Sequence, residues 1–78
     1  MEENKVRRNL YRVLRKTGVG KQDIRPGATY TSDLNFDSVD WKIFTFYLEG
    51  IFDIYVHDEE LYNLKNVNDT VNFLKHSA

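Results

Sequence analysis

The run from Ser38 to Phe52 leaves few folds open, because as a helix it is apolar over most of its circumference. At about 100° per residue, Phe44, Tyr47, Leu48, Ile51 and Phe52 share one broad stripe, with Trp41 at its margin. Val39, Ile43, Phe46 and Gly50 fall at i, i+4, i+7 and i+11 on nearly the opposite side, and only Lys42, Thr45 and Glu49 leave a polar flank. Such a helix is either buried on two sides or offers one side to a partner. With only 78 residues in the chain, the second stripe is expected to face a partner.

The neighbouring segments are helical too. Val6, Leu10, Val13 and Leu14 recur at i, i+4, i+7 and i+8, which predicts an amphipathic helix from about Glu3 to Lys16, stopped by Gly18. Asp58 to Asn63 predicts a short helix with acids in its first turn, and Val67 to His76 a last helix capped by Asn66. Ile54-Tyr55-Val56 is β-prone but too short and isolated to build a sheet. Residues 18–36 hold three of the four glycines and Pro26, and predict a long loop pinned by Val19, Ile24, Tyr30, Leu34 and Phe36. The expected architecture is an all-α bundle, three main helices plus one short helix, forming a single domain over residues 1–78.

Composition narrows the function classes. Hydrophobic residues at 41% and aromatics at 14% suffice for a packed core. With no cysteine, neither disulfides nor a thiolate metal site is available, and His57 and His76 belong to no ligand set of useful spacing. No apolar run approaches the roughly 18 residues of a membrane span, so no membrane partner and a cytoplasmic location are expected. The net charge of -1 hides a division. Residues 1–28 carry eight Lys and Arg against three acids, and residues 29–78 three Lys against nine acids, or +5 against -6. The two ends should face different partners.

Ser38 is the residue best suited to covalent chemistry. It follows a polar loop, stands at a helix start among unpaired backbone N–H groups, and sits where the helix dipole favours a phosphate ester. Capping is the competing reading, since Asp37 and Ser38 both suit an N-cap and Asp40 could answer Asp37 across the turn.

The segment Asp33-Leu34-Asn35-Phe36-Asp37-Ser38-Val39 resembles the D-L-G-x-D-S-L motif that opens the second helix of the four-helix bundle in the acyl carrier protein family. Downstream, Glu49, Phe52, Val56, His57, Asp58, Glu59 and Glu60 match the family's E-x-x-F-x-x-x-I-P-D-E-E type segment, and Val67 to Leu74 looks like its last helix. The resemblance implies that Ser38 carries 4′-phosphopantetheine, donated by coenzyme A through a separate Mg²⁺-dependent phosphopantetheinyl transferase. The arm would hold acyl intermediates as thioesters for acyl-transferring or acyl-modifying enzymes of lipid or secondary metabolism. It implies no catalytic residue in this chain. Asp37 would flank the attachment point for recognition, and Val39, Asp40, Ile43, Phe46, Glu49 and Gly50 would form the partner-binding surface of a monomer.

Several positions depart from the family pattern. Asn35 replaces glycine, Val39 leucine and His57 proline. Val39, Ile43 and Phe46 occupy much of a stripe that typical members fill with acids, which predicts enzyme partners that recognise an apolar surface. The basic first helix, with Arg7, Arg8, Arg12, Arg15 and Lys16, is a further departure and by itself reads as a solvated face. Bulky Trp41, Phe44, Tyr47 and Phe52 predict a nearly filled interior with little room for a long acyl chain. Two other readings remain: a carrier-like scaffold that is never modified, and a small nucleic-acid-binding helical domain. The slightly acidic whole chain and the lack of a recognition helix weigh against nucleic acid.

Overall fold

A computed structural model describes residues 2–77. Among these described residues four helices follow one another: α1 (Glu3–Thr17), α2 (Ser38–Phe52), α3 (Asp58–Leu61) and α4 (Val67–Ser77), with a single 3₁₀ turn at Lys21–Asp23 between the first two. No strand occurs among the described residues, and the one β-type pairing is an isolated bridge between Thr29 and Asn66.

Helix α1 packs on both α2 and α4. Val6, Leu10, Val13 and Leu14 from α1 meet Phe44, Leu48 and Phe52 from α2 and Val67, Val71 and Leu74 from α4 in one core. Tyr47, Ile51 and Trp41 border this core and are half-buried. Gly18 ends α1 in the left-handed conformation, φ 109°, and its N–H donates to the Arg15 carbonyl, the stop its position predicted. Asp53 ends α2 the same way at φ 55°, a role usually given to glycine or asparagine.

The predicted α3 is shorter than expected, ending at Leu61, and a turn continues it to Asn63. His57 precedes it with its N–H donating to Glu60 Oε1 at 2.9 Å, so histidine fills the position without proline. Asn66 caps α4 by accepting from the Asp69 N–H at 2.8 Å.

The long loop is held, and side chains do much of the holding. Tyr30 is fully buried in the core, and its hydroxyl meets the Thr70 hydroxyl at 2.6 Å. Backbone bonds from Tyr30 N–H to Lys65 carbonyl, Val67 N–H to Ala28 carbonyl and Asn68 N–H to Pro26 carbonyl tie the loop to the start of α4. Asp33 accepts from the Thr29 N–H at 2.9 Å and its hydroxyl at 3.2 Å, and these bonds hold its carboxyl below the usual range. Asn35 takes the left-handed conformation at φ 55°, where it stands in for glycine. This braced loop delivers Asp37 and Ser38 to the head of α2.

Candidate functional site

The first turn of α2 is closed by two carboxylates. Asp37 Oδ1 accepts from the Asp40 N–H at 2.8 Å, and Asp40 Oδ2 accepts from the Asp37 N–H at 3.1 Å. That reciprocal pair is a capping box with aspartate at both ends. Capping therefore falls to Asp37, in the N-cap position, and Ser38 is the first helical residue. Ser38 is exposed, and its hydroxyl makes no hydrogen bond among the described residues. Each carboxylate spends one oxygen on the cap, and the other enters no hydrogen bond among the described residues.

The second stripe of α2 lies on the surface. Val39 is 59% exposed, Ile43 36% and Phe46 72%, and Gly50 continues the exposed line. Phe46 leans on Tyr47 with ring centroids 5.4 Å apart, so its ring is braced from one side and open on the other. Asp40 and Glu49 are half-buried. Glu49 also has an internal task that its place on a polar flank did not announce: its Oε2 accepts from the Val56 N–H at 2.8 Å and fastens the turn after α2.

Ser38 opens onto a groove of about 940 Å³ between the long loop, α2 and the α3 segment. Trp41, Thr45 and Phe46 of α2 form one wall, Leu61 and Tyr62 another, and Ser32 stands at the loop side. Sequence periodicity gave no sign of this groove, because it depends on how α3 sits against α2; the only hint was Tyr62, an aromatic residue in a polar segment. The interior behind it is occupied. Tyr30, Phe36, Trp41 and Phe44 form a four-ring cluster with centroids 5.1 to 5.7 Å apart.

The two histidines lie apart from Ser38 in the chain and are engaged locally. His57 stacks edge-on against Tyr55 at 4.7 Å, and His76 Nδ1 meets the Asn72 carbonyl at 2.7 Å. Among the described residues no group of three or more His, Cys, Asp or Glu is placed to hold a metal ion. Among the described residues no helix is long and apolar enough to cross a membrane.

No protein-family model matches the chain. Individual proteins do. It is 32% identical over 75 residues to an acyl carrier protein of Chloroherpeton thalassium, covering 95% of this chain and 94% of that one. Over 59 residues it is 34% identical to an acyl carrier protein of Myxococcus xanthus, covering 76% and 75% of the two chains. The corresponding protein of Kocuria rhizophila is 36% identical over 59 residues, covering 76% of this chain and 73% of its own.

Proposed function

Since the chain belongs to the acyl carrier protein family and is a carrier rather than an enzyme, we propose that it carries its cargo through Ser38, on a covalently attached 4′-phosphopantetheine. The observation that carries this reading is the division of labour at the head of α2. Asp37 and Asp40 close the turn, which leaves the Ser38 hydroxyl exposed and unengaged. The surroundings suit the group as well, since the groove beside Ser38 has space for an extended arm and apolar walls for its load.

When attached, the arm supplies a terminal thiol that holds an acyl group as a thioester. Everything else falls to this chain's residues or to visiting enzymes. Ser38 Oγ forms the new bond to phosphorus as the pyrophosphate link of coenzyme A breaks; adenosine 3′,5′-bisphosphate leaves, and the hydroxyl proton passes to a base on the transferase. No base in this chain is required. The free oxygens of Asp37 and Asp40 carry the same sign as the phosphate and repel it, so they serve recognition or metal-assisted docking of the transferase.

Val39, Asp40, Ile43, Phe46, Glu49 and Gly50 make the surface that partner enzymes read. Its exposed apolar side chains favour contact through burial over salt bridges, which suits a specialised lipid or secondary-metabolite pathway. The protein works as a single monomeric domain over residues 1–78, in the cytoplasm alongside its enzymes.

The same exposed stripe would serve an unmodified scaffold, and labelling separates the two. Wild type incubated with a fluorescent coenzyme A conjugate and a broad-specificity transferase becomes labelled, and Ser38→Ala does not. Unlabelled wild type beside a labelled control carrier supports the scaffold.

A further inference from the structure

Helix α1 turns one side to the core and presents on the other a face made of cations. Val6, Leu10, Val13 and Leu14 are buried. At about 100° per residue Arg8 and Arg12 point away from them, with Lys5, Arg15 and Lys16 to either side. All five are exposed, and no acid shares their arc. None of the five enters an ion pair among the described residues; the pairs of this helix join Glu3 to Arg7 and Lys75. Arg15 reaches the Val19 carbonyl at 3.3 Å, and the Lys16 ammonium stands 5.7 Å from the Tyr47 ring centre.

This arrangement works against the helix that carries it. Lys5 with Arg8, Arg8 with Arg12, and Arg12 with Arg15 and Lys16 are like charges at i,i+3 or i,i+4, each of which destabilises an isolated helix. The dipole rewards cations at the C-terminal end, as for Arg15 and Lys16, but opposes Lys5 in the first turns. Packing of the opposite side into the core holds the helix in place, but no acid among the described residues neutralises these five cations, which leaves the face suited to an anionic partner.

We propose that this face of α1 docks the carrier on the surface of bilayers containing anionic phospholipids, by adsorption without insertion. Five cations on one helix fall within the range that binds anionic leaflets, and the three arginines present planar forks that match phosphate oxygens. The arc has no apolar side chain to insert among acyl chains or to anchor a protein interface. A planar array of phosphates needs only the crest of the helix. The excess acid of residues 29–78 does not prevent the approach. The molecule measures 27 × 25 × 19 Å, and charge on its far side is screened beyond a Debye length of about 8 Å. The choice of lipid over another phosphate polymer rests on the carrier reading, in which the acyl cargo serves a lipid pathway. As α1 packs against α2 with its opposite side, Ser38 and the α2 stripe stay accessible while this face is engaged.

Vesicle flotation tests the proposal. The full chain binds vesicles of equal parts phosphatidylglycerol and phosphatidylcholine and does not bind phosphatidylcholine alone. The double reversal Arg8→Glu/Arg12→Glu weakens binding by at least about tenfold. Lys65→Glu, an exposed cation off this face, leaves it unchanged. If circular dichroism shows that the reversal has lost its helices, Arg8→Gln/Arg12→Gln replaces it, with a smaller but measurable loss. Ser38→Ala binds as wild type, so failure of the arm assignment and failure of this proposal are seen separately. Equal binding by the charge variants, equal binding to neutral vesicles, or tighter binding to a mixed-sequence DNA duplex at the same ionic strength overturns it.

Discussion

Asp37 and Asp40 each accept a hydrogen bond from the other's backbone N–H, at 2.8 and 3.1 Å, across the residue that the family resemblance marks for modification. Replacing Asp37 by Ala removes the cap and lowers stability by about 1 kcal/mol, whereas Asn keeps most of it. If Asp37 also guides the transferase, Asp37→Asn folds like wild type in urea titrations yet is modified more slowly. Modification at the wild-type rate would leave Asp37 a structural residue alone.

Two residues of α2, one turn's half apart, should behave as opposites. Leu48 is fully buried, and Leu48→Ala costs about 2–5 kcal/mol, comparable with the whole net stability of about 3–5 kcal/mol for a domain this small. Phe46 is 72% exposed, and Phe46→Ala should change stability by less than about 0.5 kcal/mol. The same substitution weakens acyl transfer by the cognate enzyme. Undiminished transfer, or a wild-type rate that falls steeply with salt, would speak for charge recognition instead.

The alkaline limit of stability is set in part by Tyr30. Burial, partly offset by the bond to Thr70, raises its hydroxyl well above the ordinary 10.0. Above that value the unfolded chain releases the proton and the folded chain keeps it. Stability is therefore intact below about pH 10 and falls by up to about 1.4 kcal/mol per pH unit above it. Tyr30→Phe removes this slope. At neutral pH it costs only about 1 kcal/mol, because Thr70 keeps its 3.3 Å bond to the Asn66 carbonyl. Thermal melts of both proteins across the alkaline range separate the two effects.

Four aromatic rings occupy the interior beside α2, so the proposed cargo is expected to lie along the open groove. A long acyl chain on the arm should raise the melting temperature by less than about 4 °C, the shift that about 1 kcal/mol produces in a domain of this size. Trp41, which lines the groove, should report the load by a change in fluorescence. A much larger thermal shift would mean that the ring cluster opens to admit the chain.

How far the sequence could be read follows from the range of each interaction. The bounds of α2 were legible because its apolar stripes lie within the segment itself, and the exposed second stripe followed from the same periodicity. Asn35 at φ 55° was likewise visible as a residue tolerant of that conformation. The anchoring of the loop was not, since Thr29 pairs with Asn66 and Tyr30 with Thr70 across gaps that no local pattern marks. Glu49 belonged by spacing to a polar flank, and its bond to Val56 depends on how the chain turns after Asp53. Whether Asp37 or Ser38 caps α2 was not legible either, because both residue types suit the position and the reciprocal bonds of the folded turn decide it.

The most direct test of the central claim is intact-protein mass spectrometry after incubation with coenzyme A and a transferase, followed by peptide mapping. Wild type should gain the mass of one phosphopantetheinyl group, localised to the peptide containing Ser38, and Ser38→Ala should gain none. A mass gain that persists in Ser38→Ala, or maps to Ser32, would contradict the account.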